Sequence, residues 1–357
     1  MQFIISGIQQ IGIGIPDVKQ AWKWYRQQFG IDVPIFEEAA EANLMLPYTG
    51  GKPHQRHAVL AISLQGGSGM EIWQYTSRTP QPPAQPPMLG DYGIFAARIK
   101  SRDVAAAHRA FASRGLALHA GLRKDPAGQP VCWVKDPYGN HFQIVPDTHW
   151  FSRTRALTGG IAGCMIGVSD IEAARQLYSG ILGYDDVVYD REGVWEDLAG
   201  LPGGEFPLRR VLLGHRQARQ GAFSRIIGPS RIELVQLRSG RSAVPMFKGR
   251  FWGDLGFIHL CFDVIGMDDL RQQCAAQGFP FTVDSGLALG KAFDMGEASG
   301  LFSYIEDPDG TLIEFVETLK MPIAKKWGWY LDLRKRDARR PLPDWMLKAL
   351  SLNRVRD

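Results

Sequence analysis

The chain repeats itself, and any fold it adopts has to accommodate the repeat. The stretch GIQQIGIGIPDVKQAWKWYRQQFGID near the start aligns without a gap with GIAGCMIGVSDIEAARQLYSGILGYD. Asp17 then matches Asp170 and Gly30 matches Gly183, each pair 153 residues apart. A second pair of stretches, ARIKSRDVAAAHRAFASRGLAL and FDVIGMDDLRQQCAAQGFPF, is followed in each case by a hairpin with a D-P-x-G turn. In YIEDPDGTLIEFVE, Pro308 presets φ for the turn and Gly310 supplies the positive φ that closes it. Beyond the turn, Leu312, Glu314 and Val316 share one strand face, and Ile313, Phe315 and Glu317 the other. A carboxylate at Glu314 among apolar neighbours must be exposed, paired or metal-bound. The earlier hairpin, VCWVKDPYGNHFQIV, places Gln143 four residues past Gly139.

The chain therefore contains four units, each reading β-α-β-β-β. A short alternating strand leads into an acidic or Ser/Asp helix start and an amphipathic helix, as in Val18, Trp22, Tyr25 and Phe29. A glycine at Gly30, Gly115, Gly183 or Gly278 ends each helix, and the last strands are MEIWQY, HFQIV, RIELVQL and TLIEFVE. The proline-rich segment 77–87 cannot lie inside a sheet and separates units one and two. Further joints fall at 148–160 and 239–253. The expected organisation is a domain over residues 1–150, a second over 157–318, and a basic, aromatic tail over 319–357 with a helix starting at Asp344.

With 357 residues, 45% hydrophobic and 22% charged, the chain has the balance of a globular protein with room for two cores. A net charge of +4 does not imply nucleic acid binding. Cys132, Cys164, Cys261 and Cys274 lie far apart, which argues against a disulfide scaffold or a CxxC zinc site. The first residues read neither as a signal peptide nor as a membrane span, so a cytoplasmic location is expected, without a membrane partner. The glycine-rich pieces lack the strand-turn-helix context of a phosphate cradle.

Four such units, ending in D-P-x-G hairpins, resemble the vicinal oxygen chelate superfamily, which includes glyoxalase I, extradiol dioxygenases and the fosfomycin- and bleomycin-resistance proteins. The resemblance covers residues 5–318. It implies an α+β fold of paired β-α-β-β-β modules around cup-shaped sheets, with a divalent metal in a cup and a substrate chelated through neighbouring oxygens. Ligand positions in the family lie on the first and last strands of each module. Here the first-strand positions are Gln10, Ala96 (Ile94 in a shifted register), Gly163 and His259. The last-strand positions are Glu71, Gln143, Glu233 and Glu314.

Sorted by sequence half, the C-terminal half offers Glu233, His259 and Glu314, with Gly163 where a histidine is usual. One imidazole and two carboxylates suit Zn, Mn, Fe, Ni or Co and leave positions open for a chelating substrate. His259, Glu314 and Glu233 are the expected metal ligands, and Glu233 or Glu314 the expected proton acceptor. The N-terminal half, with Gln10, Glu71 and Gln143, reads as a degenerate cup in which Glu71 is structural or substrate-binding. A metal-dependent lyase or isomerase on a small oxygen-chelating molecule is the leading functional reading. An extradiol-type dioxygenase and a metal-free small-molecule binder are the alternatives. Cys164 reads as a packed thiol, His54 and His57 as loop residues, and His141 and His215 as surface residues. The tail's cations, from Lys325 to Arg340, read as a solvated face on a segment whose Trp327, Trp329 and Trp345 pack on the body, cover a cup mouth, or make a homodimer contact.

Overall fold

The computed structural model describes residues 3–290, 292–294, 299–324 and 329–356. Module one comprises β1 (Ile4–Gly14), α1 (Val18–Phe29), β2 (Val33–Glu41), β3 (Gln55–Ile62) and β4 (Gly69–Tyr75). Module two comprises β5 (Gly93–Ser101), α2 (Val104–Ser113), β6 (Ala117–Lys124), β7 (Pro130–Lys135) and β8 (His141–Pro146). Module three runs through β9 (Thr158–Gly167), α3 (Ile171–Tyr178), β10 (Asp186–Gly193), β11 (Leu208–Gly214), α4 (Ser224–Ile227) and β12 (Arg231–Leu237). Module four holds β13 (Gly256–Ile265), α5 (Met267–Ala276), β14 (Val283–Asp284), α6 (Ser285–Leu289), β15 (Phe293–Asp294), β16 (Ser299–Glu306) and β17 (Leu312–Ala324). The tail adds β18 (Trp329–Asp332) and α7 (Asp344–Ala349). The fold is the expected α+β arrangement, with two curled sheets and helices behind them.

Local chemistry fixes these elements. Asp17 caps α1 by accepting the Lys19 and Gln20 N–H groups, and Gly30 closes the helix at φ 69°. Asp170 caps α3 in the same way, through Glu172 and Ala173. The α5 helix has no capping side chain of its own. Glu317, from the strand behind it, accepts the Gly266 and Met267 N–H groups instead, both at 2.9 Å.

The strand order corrects the expected domains. One sheet runs β14-β16-β17-β13-β1-β4-β3-β2, and the other β10-β11-β12-β9-β5-β8-β7-β6. The first strand of module one thus pairs antiparallel with that of module four, Gly12 opposite His259. The first strand of module two pairs with that of module three, Ala96 opposite Met165. Each cup takes one module from each half of the sequence, so the sheets do not divide at 150/157. The halves persist in the helical layer. Tyr25 of α1 donates to Asp136 in the turn of module two (2.7 Å), and Tyr178 of α3 donates to Asp307 in the turn of module four (3.0 Å). Sheets join one to four and two to three, while helix-to-turn contacts join one to two and three to four.

Three layers of apolar side chains follow. A cluster behind the sheets draws on all four modules, with Ile11, Tyr25, Phe29, Phe142, Tyr178 and Phe262 fully buried. Separate clusters line the inner face of each cup, one around Trp73, Trp252 and Tyr304, the other around Phe95, Trp133 and Met165. The tail begins later than expected: β17 runs on to Ala324 and β18 pairs with it. Its end returns to module one, where the Val355 N–H donates to the Asp32 carbonyl (2.9 Å) and Arg354 pairs with the Asp32 carboxylate (2.6 Å). Trp345 is 69% exposed, so it does not pack on the body as expected. Lys325, Lys326 and Trp327 and the side chain of Trp329 lie outside the described residues. Among the described residues no helix is long and apolar enough to cross a membrane.

Candidate metal centre

The cross-pairing brings Gln10, Glu71, His259 and Glu314 to the floor of the first cup. Gln10 sits on β1 and Glu71 on β4, where Gly12 lies opposite Glu71. His259 sits on β13 and Glu314 on β17, where Cys261 lies opposite Glu314. Each last-strand residue is therefore offset by two positions from the first-strand residue beside it, and all four side chains point to the same side by the alternation of the strands. Glu71, His259 and Glu314 each offer one ligand atom, all within 4.8 Å of one another. The His259 Nε2 atom lies 3.2 Å from Glu71 Oε2 and 3.1 Å from Glu314 Oε2.

These atoms are close but not hydrogen-bonded. His259 Nε2, Glu314 Oε2 and Gln10 Oε1 are buried without a hydrogen-bond partner. Buried polar atoms normally find one, so unpartnered imidazole and carboxylate atoms converging with a second carboxylate, Glu71, are the arrangement a cation would satisfy. A proton serves otherwise. Burial alone would depress the His259 pKa, but the Glu314 and Glu71 carboxylates beside it push it up to about 10. The imidazole is held on three sides. Its ring stacks on Trp252 at 6.2 Å and 10°, meets the Tyr304 ring edge-on at 5.6 Å, and fills the space over Gly12, where an added Cβ would lie 2.5 Å from Cε1. A cavity of about 220 Å³ opens above the cluster, walled by Phe36, Leu44, Met45, Trp252, Phe302 and Tyr304, with the Arg56–Glu38 ion pair and Glu41 at its lining.

Glu233 is not in this cup, and that corrects the expected ligand set and proton acceptor. It lies on β12 in the other sheet, fully buried. Its Oε1 accepts from Arg210 Nε at 2.6 Å and its Oε2 pairs with Arg98 Nη1 at 3.3 Å. Burial would raise its pKa, but the two guanidinium groups hold it below the usual carboxylate range. Arg210 also makes a two-pronged pair with Asp197, 2.7 and 2.9 Å. The ligand positions here are Ala96, Gln143, Gly163 and Glu233, of which Ala96 and Gly163 carry no side-chain donor atom. Gly163 cannot carry a histidine: its φ is +134° and a Cβ would lie 1.6 Å from the Arg231 carbonyl oxygen. Gln143 is fully buried with both amide atoms unpartnered.

Two other expectations change. Glu71, read as structural or substrate-binding, lies together with His259 and Glu314. His141, read as a surface residue, is buried, stacks on Phe95 at 5.0 Å and 9°, and has its pKa pushed down to about 3 by burial and by His119 and Lys135. Trp252 was missed, since it lies in a stretch that reads as a joint between modules. Its only sequence signal is a tryptophan beside the glycine that precedes the first strand of module four. Cys164 is a buried free thiol, its pKa raised by burial.

No curated protein sequence matches the chain. Among solved structures it is similar to a Bacillus subtilis protein named provisionally as a dioxygenase, at 13% identity over 88% of this chain and 86% of that one, with a TM-score of 0.56. It is also similar to glyoxalase I from Zea mays, at 12% identity over 88% and 92%, with a TM-score of 0.54. At these identities the likeness is one of fold. The model of the Glyoxalase/Bleomycin resistance protein/Dioxygenase superfamily matches residues 7–144 and again 160–315, so the chain belongs to that superfamily.

Proposed function

We propose that the protein is a metal-dependent lyase or isomerase whose single centre is the Gln10, Glu71, His259 and Glu314 cluster, acting on a small substrate with two neighbouring oxygens. The observation that carries this reading is the convergence of three ligand atoms within 4.8 Å, buried at the base of a cavity. The donor set of one imidazole, two carboxylates and an amide suits a divalent ion of the Zn, Mn, Fe, Ni or Co kind. It differs from the set of two imidazoles and one carboxylate associated with oxygen-activating iron, which sets the dioxygenase reading second. Bound there, the ion would polarise a substrate carbonyl and acidify the neighbouring C–H bond.

The chain's own residues do the rest. Trp252 and Tyr304 hold the His259 ring from two directions, which fixes the direction of its Nε2 lone pair. Phe36, Leu44 and Phe302 give the cavity apolar walls that exclude water and strengthen each charge inside. Glu314 Oε2, buried and free of hydrogen bonds, is the atom placed to take a proton from substrate carbon and return it to a neighbouring one.

The test combines metal content with proton exchange. Protein purified without added metal or chelator is expected to hold close to one equivalent of metal by mass spectrometry, lost in His259→Ala and Glu314→Ala and kept in Glu233→Gln. With small α-hydroxyketones in D2O, NMR is expected to register exchange of the carbon-bound proton that requires Glu314. Absence of metal after incubation with all five ions would overturn the metalloenzyme reading and leave a small-molecule binder. Metal binding with oxygen consumption but no exchange would replace the lyase by a dioxygenase.

A further inference from the structure

A second cavity, of about 360 Å³, shares Trp252 as a lining residue with the substrate cavity. Segment 245–252 forms one wall, the starts of β5 and β13 another, and the turn before β17 a third. Its size is that of a small-molecule site, and its surfaces are of two kinds. Tyr92, Phe247, Phe251, Trp252 and Phe257 present aromatic rings, which favour a flat apolar ligand. The polar groups are chiefly donors. Trp252 and Thr311 are both more than nine-tenths buried, and Trp252 Nε1 and Thr311 Oγ1 have no hydrogen-bond partner. Leaving two such groups unpaired is unfavourable, and a ligand acceptor would remove that cost.

Arg250 supplies the charge. It borders the cavity, lies over the Phe247 ring at 4.2 Å, and donates only to the backbone carbonyls of Met246 and Leu255. Asp254, the carboxylate whose charge it feels, is already held by Arg78 and by the Gln81 and Phe251 N–H groups. Burial lowers the Arg250 pKa to about 10, as expected for a cation short of water and of a counter-ion. Asp309, the one carboxylate among the described lining residues, accepts the Ser169 N–H at 2.7 Å.

We propose that this cavity binds a small planar aromatic carboxylate, with its ring against the aromatic wall and its oxygens accepting from Arg250 and from the otherwise unpaired Trp252 Nε1 and Thr311 Oγ1. A neutral ring would leave the guanidinium uncompensated, and a cationic one would be repelled by it. The site does not depend on the function assigned to the metal centre, yet the two share Trp252, which stacks on His259. Occupancy of one is therefore expected to alter affinity at the other, reciprocally.

Benzoate, phenylacetate and indole-3-carboxylate, with their amides as neutral controls, are titrated into the metal-loaded protein and into His259→Ala, followed by tryptophan fluorescence and calorimetry. At least one acid is expected to bind about tenfold or more tighter than its amide, and to bind His259→Ala as well. Thr311→Val is close to isosteric and removes a hydroxyl without a partner, so its fold is expected to survive. It should weaken binding about five- to tenfold, and Arg250→Lys about tenfold or more, in line with the loss of a neutral or charge-assisted hydrogen bond. Failure of every acid to bind at millimolar concentration overturns the proposal. So does binding that is lost in His259→Ala and intact in Thr311→Val, which would place the carboxylate on the metal centre instead.

Discussion

The two cups have the same strands in the same relation, and opposite interiors. In the first, the connection between the second and third strands (residues 42–54) buries Met45 against Trp73 and Trp252 but leaves a cavity, walled in part by Leu44 and Met45, above Glu71, His259 and Glu314. In the second, the corresponding connection (residues 194–207) packs into the cup. Leu198 and Leu201 join Phe95, Trp133 and Met165, and the Trp133 indole donates to the Asp197 carbonyl at 2.8 Å. The carboxylate at the ligand position meets two arginines there, and an imidazole and a second carboxylate in the first cup. A closed cup can satisfy a buried carboxylate only with protein groups of opposite charge. An open one can leave the carboxylates for a ligand.

That contrast is broken most severely by removing a ligand from the first cup. Altering groups that merely support metal ligands costs about 10–100-fold in affinity, so Glu71→Ala, His259→Ala and Glu314→Ala are each expected to cost about 100-fold or more, with loss of activity. Equilibrium dialysis checks this, and retention of metal by Glu71→Ala would return that residue to a structural role. In the second cup the corresponding change acts on stability alone. Glu233→Gln leaves Arg98 without its carboxylate partner and Arg210 with Asp197 alone, and removing one partner of a buried pair costs about 3–5 kcal/mol. Denaturant unfolding should register that loss while metal content stays at the parent level.

The cups also titrate in opposite senses. In metal-free protein the His259 pKa stands at about 10 against an ordinary 6.5, so the folded state favours the proton. Its contribution is fully present below pH 6.5 and is lost as pH rises towards 10. His141 in the second cup has its pKa lowered to about 3, so the folded state disfavours the proton. That contribution is present above pH 6.5 and is lost as pH falls towards 3. Melting temperatures of chelator-treated protein should therefore decline on both flanks. His141→Phe should flatten the acid flank and metal loading the alkaline one, since metal and proton compete for the same imidazole. An alkaline flank unchanged by metal would place the ion elsewhere.

The α+β fold, the four modules, the DPxG hairpins and the helix at Asp344 were legible because each rests on local chemistry: alternation, Asp caps, and glycines at positive φ. The partnership of the modules was not legible in that way. Whether β1 pairs with β5 or with β13 is decided by contacts between strands more than two hundred residues apart, and all four first strands have the same apolar character. Even so, a signal was present in the eight ligand positions. Grouped by sequence half they give two incomplete sets, whereas grouping module one with module four collects Gln10, Glu71, His259 and Glu314 and leaves Ala96, Gln143, Gly163 and Glu233. Gly12 also carried information, since a small residue two positions past Gln10 makes room for the neighbouring strand's imidazole. The burial of His141 and the role of Trp252 depend on how loops fold over the cups, and no periodicity encodes that.

The finest test of the comparison uses the two glutamines at ligand positions, one on a first strand and the other on a last strand. Gln10 on β1 is buried with its amide oxygen unpaired and Gln143 on β8 with both amide atoms unpaired, but Gln10 shares its cup with the group that a cation could complete. Methionine has nearly the same volume and length and lacks the amide. At Gln143 the substitution removes two unsatisfied polar atoms from a closed interior, and it should stabilise the protein by about 1–2 kcal/mol. At Gln10 it should leave the stability of metal-free protein within about 1 kcal/mol of the parent and weaken metal binding about tenfold, the loss of one neutral ligand. Urea unfolding of both variants with and without metal separates the two effects. A stabilised Gln10→Met that still binds metal at parent affinity would mean that Glu71, His259 and Glu314 alone hold the ion. A destabilised Gln143→Met would mean that the second cup holds polar contacts for its amide, and is less completely closed than its packing indicates.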